Sequence, residues 1–227
     1  TIFDFDKLEY DAGSRGPARR DHAAAVLGKF MLIHGGISHE SAALSNDFNL
    51  YNLEQDCWCE LKVFGCERPA LSHHKLASTA KKYRKPNRYN ENCASEEFYM
   101  FGGKTQEGTS VNTLYRIRLE GVSAVRVEKI DAKRAPMPRF EIVWNSSKLD
   151  TLVHGGKTHE ETSSKRSYRG VFHDIHLFDT TKEIWLEPTI GGYPTTVRFG
   201  MASVSIGSAV VVFGGCNASH FHDGDLY

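Results

Sequence analysis

Three arginines stand at the same distance from a glycine pair, and they are the first residues here with binding chemistry. Arg19, Arg139 and Arg198 each lie 16 residues before the first glycine of a Gly-Gly pair. A guanidinium presents a planar fork of donors that fits carboxylates and phosphates. The arginines therefore either hold an acidic ligand or brace their own strands by hydrogen bonds to loop carbonyls. Their recurrence in register favours bracing, and both roles are compatible.

A second concentration of donors lies in residues 81–95, where the only acid is Glu91. Its basic residues are Lys81, Lys82, Arg84, Lys85 and Arg88. Such a segment either contacts an anionic partner (an acidic protein tail, a phosphate or RNA) or is a solvated loop. The whole chain carries 28 basic and 28 acidic residues, so its net charge gives no support for a nucleic-acid or membrane partner.

Eleven histidines raise the question of catalysis or metal binding. His22 and His74 fall at one repeat position, and His34 and His154 each precede Gly-Gly, which favours structural roles. The segment HFHDGD at 220–225 has ligand types without a partner cluster. No P-loop, GxSxG or HExxH motif occurs. We therefore predict no enzymatic activity, no metal and no cofactor.

The cysteines and the hydropathy pattern bear on location. The five cysteines are odd in number and unevenly spaced, which argues against a disulfide framework. No stretch approaches the roughly 20 apolar residues that a membrane span needs. We predict reduced thiols, no membrane partner and a cytoplasmic location.

Four apolar runs end in Gly-Gly, and this repeat places the arginines. The pairs are Gly35–Gly36, Gly102–Gly103, Gly155–Gly156 and Gly214–Gly215. In two repeats a tryptophan follows an aromatic residue by seven positions, at Tyr51 to Trp58 and at Phe178 to Trp185. Short apolar runs separated by turn residues predict units of four strands. The glycines suit a crowded strand end, and the tryptophan fills the gap between sheets.

The order of arginine, apolar run, Gly-Gly, aromatic-Asp strand and tryptophan resembles the kelch repeat. The resemblance covers nearly the whole chain. It implies an all-β fold, a kelch-type β-propeller built from four-stranded antiparallel blades. Kelch propellers usually have six or seven blades and this chain holds about four, so we expect a part of a larger ring. A closed four-bladed ring is the alternative.

Alignment of the repeats predicts the limits of the blades. The predicted parts are the last strands of a preceding blade at 1–12, with Tyr10 in the tryptophan position, blades at 17–63, 69–131 and 136–188, and an incomplete blade at 195–227. The blade at 69–131 departs from the pattern. It has Leu71 in place of the arginine, the insertion 81–95, and Ala124 or Val125 nearest the tryptophan position.

The propeller geometry predicts which loops share a face. The loops Ile37–Ser45, Lys104–Val111 and Lys157–Phe172 follow the glycine pairs and should lie beside the arginines. The basic insertion should lie on the opposite face. Further candidate binding residues in these loops are His39, Lys157, His159, Lys165, Arg166 and Arg169.

We expect a non-catalytic scaffold for protein–protein interaction within a larger complex. The uneven repeat lengths are similar to those of free-standing kelch-domain proteins, including those of cytoskeletal or ciliary assemblies, more than to BTB-kelch proteins. The first alternative is a substrate adaptor of a ubiquitin ligase, because such adaptors resemble this arrangement and would read an acidic or C-terminal peptide. The second alternative is a regulatory propeller attached to an enzyme such as a phosphatase.

Overall fold

The computed structural model describes the chain except for residues 1–15, 80–96, 122, 148–149, 160–166, 193–195, 207–208, 220 and 222–223. All regular elements of the described residues are β-strands, and most pair in antiparallel sheets. The predicted all-β class is therefore confirmed. We call the successive sheets blades 1 to 4.

Blade 1 has four strands in the order β2-β3-β5-β6. The strands of this region are β1 (Arg19–Arg20), β2 (Ala23–Leu27), β3 (Phe30–His34), β4 (Ile37–Ser38), β5 (Phe48–Asn52) and β6 (Cys57–Cys59). The short strands β1 and β4 pair beside the blade, so the arginine segment contacts the loop after the glycine pair. Tyr51 faces Trp58 across the outer ladder, as their spacing predicts.

Blade 2 has five strands in the order β7-β11-β10-β9-β8. They are β7 (Lys62–Gly65), β8 (Lys75–Thr79), β9 (Glu97–Phe101), β10 (Leu114–Leu119) and β11 (Ala124–Ile130). Strand β7 pairs in parallel with β11 and therefore belongs to blade 2. The sequence had predicted that the first blade continues to residue 63. Ile117 faces Val127, so Val127 takes the tryptophan position instead of Ala124 or Val125. The expectation was wrong because the β10–β11 hairpin is longer than its counterparts.

Blade 3 has the order β12-β13-β16-β17 with a small hairpin β14-β15, and blade 4 begins with β18-β19. Their strands are β12 (Val143–Ser147), β13 (Asp150–His154), β14 (Ser167–Tyr168), β15 (Val171–Phe172), β16 (Ile175–Asp179), β17 (Ile184–Leu186), β18 (Ala202–Ile206) and β19 (Ala209–Phe213). At the edge of blade 4, Leu226 forms an isolated antiparallel bridge with Phe213.

The core lies between the blades, where the facing sides of neighbouring sheets are buried. Between blades 2 and 3, Trp185 packs against Phe101 and Phe178 with ring centroids 4.9 and 5.2 Å apart. Trp185 is 1% exposed. A large ring of this kind fills the gap between two sheets, as its repeat position predicts.

The glycine pairs bind each blade to the next. The residues of the pair in blade 3, Gly155 and Gly156, have φ of 63° and 88°. A Cβ at Gly155 would lie 2.7 Å from the carbonyl oxygen of Arg198 in blade 4. The N–H of Gly156 donates to that same oxygen at 3.0 Å. The second glycines of blades 1 and 2 donate equivalently, at 2.8 and 2.9 Å, so only glycine fits this junction.

Candidate binding face

The three repeat arginines are buried, and each binds the glycine turn of its own blade. Nη1 of Arg19, Arg139 and Arg198 donates to the carbonyl of the first glycine at 2.8, 3.2 and 3.1 Å. Arg139 and Arg198 are 0% and 1% exposed, and the side chain of Arg19 is 6% exposed. Because Nη1 of each arginine bonds inside its own blade, the geometry favours the bracing role over ligand binding at these positions.

Arg139 also takes part in a buried ion pair in blade 3. Its Nη1 and Nη2 lie 2.5 and 2.9 Å from the two carboxylate oxygens of Asp174. Nε2 of His176 lies 2.8 Å from Oδ2 of the same carboxylate. Burial raises the pKa of Asp174, but hydrogen bonds from Arg139 and His176 outweigh it and hold that pKa well below its usual range. The carboxylate therefore stays ionised and fixes the arginine.

Three backbone hydrogen bonds join four residues beside a cavity where the blades converge, and we call these four residues the inner ring although it is not closed. Asp21, His73, Glu141 and Gly200 hold equivalent positions and line this cavity. All four have positive φ, between 54° and 68°. His73, Glu141 and Gly200 each donate an N–H to the carbonyl of the preceding member, at 2.9, 3.3 and 3.1 Å. A positive φ is uncommon for the three residues with side chains, so the ring holds them in a strained conformation.

The side chains of the ring bring acidic and basic groups together. Nε2 of His73 lies 3.6 Å from Oδ1 of Asp21 and 3.8 Å from Oε1 of Glu141. Nζ of Lys157 lies 3.1 Å from Oε2 of Glu141. These side chains are about a quarter exposed, so a bound ligand can reach them.

Two lysines and two aromatic rings form the next layer outward. Nζ of Lys104 lies 4.7 Å from the ring centroid of Phe140. Nζ of Lys157 lies 5.3 Å from the same centroid and 3.8 Å from that of Phe199. Cation–π contacts of this kind hold the ammonium groups in place at the surface. We call the cavity, these lysines and the loops after the glycine pairs the axial face.

The loops of the axial face are joined across the blades. The backbone N–H of Leu44 donates to Oε1 of Gln106 at 2.9 Å, which links the loops of blades 1 and 2. The N–H of His159 donates to Oγ of Ser110 at 3.0 Å, which links the loops of blades 3 and 2. The loops therefore form one continuous surface, as their shared face predicts.

Comparison with known proteins agrees with this architecture. Residues 78–227, about two thirds of the chain, match the family described as "KLHDC2/KLHL20/DRC7 Kelch-repeats domain". The chain belongs to this Kelch-repeat family. The predicted kelch resemblance is thus confirmed.

Curated Kelch proteins resemble the chain at low identity. It is 25% identical over 218 residues to Kelch domain-containing protein 1 of Homo sapiens, covering 87% of this chain and 50% of the relative. It is 28% identical over 225 residues to Kelch domain-containing protein 2 of Bos taurus, covering 88% and 51%. The chain spans about half the length of the curated relatives it matches.

The remaining candidate residues of the Kelch loops are only partly described. His39, His159 and Arg169 are exposed on the axial face, and Lys157 is half-buried. The guanidinium of Arg169 lies 5.5 Å from the ring centroid of Tyr168. The candidate residues outside the described part are Lys165, Arg166, Tyr10 and the basic residues Lys81, Lys82, Arg84, Lys85 and Arg88.

Metal binding by the histidines has no support within the described residues. No group of three or more His, Cys, Asp or Glu side chains there is arranged to hold a metal ion. In the HFHDGD segment, His220, His222 and Asp223 lie outside the described residues. Among described elements, no helix has the length and hydropathy to cross a membrane.

Sequence reasoning missed two sets of functional residues. Asp47, Asp174 and Asp225 hold one repeat position, and the carbonyl of each accepts the N–H of the first glycine at 3.3 Å. The sequence does contain a signal for these aspartates. One directly precedes the third strand in blades 1 and 3, and another precedes the bridge residue Leu226 in blade 4. The inner ring gave no such signal, since its residue types differ from blade to blade.

Proposed function

We propose that this Kelch-repeat chain is a non-catalytic scaffold that holds protein partners on its axial face. The observation that carries the proposal is the joining of the loops across blades 1, 2 and 3 by hydrogen bonds, over turns that buried arginines brace. Loops that a rigid scaffold positions are the usual place for binding. A surface of this kind selects partners without large rearrangement.

The charges of the axial face indicate the chemistry of the partner. Lys75 lines the cavity, and Arg20, Lys104 and Lys157 lie at its rim, where they contact Asp21, Phe140 and Glu141. Lysine ammonium groups at a partly exposed rim attract carboxylates and speed association. An acidic segment of a partner protein is therefore the ligand class that we propose.

This rim also supports the adaptor alternative, in which a ubiquitin ligase uses the propeller to read an acidic or C-terminal peptide. Under that proposal the rim lysines contact the peptide, since the repeat arginines are buried. Attachment to an enzyme such as a phosphatase stays a prediction. We also propose a cytoplasmic, cytoskeletal or ciliary assembly as the location, and imaging of the tagged protein would test it.

Crosslinking in native extract, followed by capture, tests the scaffold proposal. We would compare the wild type with Lys104→Gln/Lys157→Gln on the axial face and with Lys62→Gln/Lys133→Gln as a matched control away from it. We expect the axial variant to lose its crosslinked partners while the control keeps them. Folding of each variant is checked first by the melting temperature.

A third variant, lacking residues 81–95, tests the opposite face. If the partners are lost only with this deletion, the axial face is not the docking surface and the basic insertion is. Peptide arrays that compare acidic peptides with free and with amidated C-termini would distinguish the adaptor hypothesis from the scaffold hypothesis. Only the adaptor requires a defined peptide end.

A further inference from the structure

Two histidines that the proposed function does not use lie buried between blades 1 and 2. His34 is the last residue of β3 and His74 directly precedes β8, and they are 0% and 1% exposed. Nδ1 of His34 lies 3.0 Å from Nε2 of His74, so the rings share one hydrogen bond across the interface. The ring of Phe48 packs on His34 with centroids 4.2 Å apart.

One shared hydrogen bond cannot satisfy two neutral imidazoles. Each neutral ring has one N–H and one lone pair. Whichever ring donates, one of the two outer nitrogens is an N–H. Backbone groups of Pro69 and His34 lie near the rings of His34 and His74, but neither Nε2 of His34 nor Nδ1 of His74 makes a hydrogen bond of good geometry. The closed interface therefore satisfies this donor poorly, and water would satisfy it better if the blades separated.

The groups around the pair oppose a positive charge. The basic groups of Arg19 and Arg68 disfavour a positive charge on His34, and those of His22 and Lys75 disfavour one on His74. Among the described groups that act on the two rings there is no carboxylate side chain. Burial first, and then these charges, lower the pKa of His34 to about 3 and that of His74 well below its usual value. The pair is therefore neutral while the interface is closed.

We propose that the His34–His74 pair is an acid-sensitive latch, which holds blades 1 and 2 together near neutral pH and increasingly favours their opening as the pH falls below about 6.5. An imidazole exposed to water takes up a proton near pH 6.5, whereas the closed pair does not. Protons therefore bind the open form alone, so the stabilisation is complete above pH 6.5 and decreases as the pH falls.

The size of the effect follows from proton linkage. Each imidazole that is protonated only in the open form raises the ratio of open to closed forms by about tenfold per pH unit below 6.5. At pH 5.0 this amounts to about 30-fold for one ring and about 1000-fold for both. Release would also break the inner ring, because His73, next to His74, donates its N–H to Asp21 of blade 1 at 2.9 Å.

The chain itself offers an apolar counterpart of the latch. At the interface of blades 2 and 3, the equivalent positions are held by Phe101 and Ile142, which are 0% and 1% exposed. A His34→Phe/His74→Ile variant copies that pair. It replaces the two histidines with a pair that already packs at the interface of blades 2 and 3, and it removes both titrating groups. Every other histidine and carboxylate of the chain remains.

Hydrogen exchange read by mass spectrometry tests the latch at pH 7.5 and 5.0, with rates corrected for intrinsic exchange. We expect the wild type to lose protection in peptides of β3 and β8 at pH 5.0, by about 30-fold or more relative to the same peptides of the double variant. The double variant should keep its protection. Equal losses in both proteins, or no loss in the wild type, would overturn the proposal.

A titration of the wild type alone provides a second test if the variant does not fold. Imidazole resonances followed by NMR should show His34 and His74 neutral from pH 7.5 to 5.0 in every molecule whose interface is closed. Titration of either ring near pH 6.5 without a change in the amide spectrum of β3 and β8 would refute the latch.

Discussion

At the scale of single residues, the arginine of blade 3 shows why one residue type recurs in the repeat. Arg139 holds the glycine turn and Asp174 at once, and both its side chain and that carboxylate are nearly removed from water. In blade 2, Leu71 and Thr113 stand at the two positions instead, and the blade still forms. A blade can therefore form with a buried ion pair at these two positions, as in blade 3, or with two uncharged residues, as in blade 2.

We predict that Arg139→Leu lowers the free energy of unfolding by about 3–5 kcal/mol, because it leaves Asp174 buried without its partner. The double variant Arg139→Leu/Asp174→Thr copies blade 2 and should recover most of that loss. Urea unfolding at pH 7 measures both values. A double variant no more stable than the single one would show that the hydrogen bond to the glycine turn carries the stabilisation.

The pH dependence of the single variant gives a separate check at the same residue. Because the pKa of Asp174 is held below its usual value, the stabilisation by its charge is complete above about pH 4 and decreases as the pH falls further. The deficit of Arg139→Leu should therefore be smaller at pH 3 than at pH 7.

At the scale of strands and sheets, much of the fold could be predicted and particular elements could not. The glycine pairs, the tryptophan ladders and the shared face of the loops were readable because each repeats in register. Strand β7 was not, since it is the link between two blades and pairs in parallel with the outer strand of the next sheet. The inner ring was also unreadable, because nothing marks His73 or Glu141 as residues with positive φ.

An ion pair between blades suggests the next prediction. Nε and Nη2 of Arg116 in β10 lie 3.0 and 2.6 Å from Oε2 of Glu128, and Nη1 also bonds Glu183 of blade 3. We predict that Arg116→Gln lowers the free energy of unfolding by about 1 kcal/mol, since two partly exposed carboxylates lose a donor whose own side chain is only 16% exposed. Urea unfolding at low and high salt measures it.

A matched pair on the same sheet serves as the control. Nε of Arg126 lies 2.5 Å from Oε1 of Glu120, but both side chains are more than 40% exposed. Exposed pairs of this kind add little to stability, so Arg126→Gln should leave the urea midpoint unchanged. Equal effects of the two substitutions would mean that the contact with blade 3 adds nothing.

At the scale of the whole molecule, the described interfaces between blades are unequal. Many large side chains fill the gaps between blades 1 and 2 and between blades 2 and 3. Between blades 3 and 4 the buried cluster is Val143, Met201 and Val212. On the other face of blade 4, Val204 and Phe213 are 52% and 53% exposed. Blade 4 therefore buries much less apolar area than its neighbours.

We predict that blade 4 opens before the rest of the 227-residue chain. Local opening costs less where fewer apolar contacts are lost, and opening exposes backbone amides to exchange. Native-state hydrogen exchange at pH 7.5, where the histidine latch is closed, should show the amides of β19 exchanging faster than those of β9 and β13. Low urea should accelerate the slow amides of β9 and β13 more than those of β19, because their exchange requires the larger exposure of surface. If all three strands exchange at one rate and with one urea dependence, the prediction is wrong. The blades would then form a single cooperative unit, held together at blade 4 by the glycine junction.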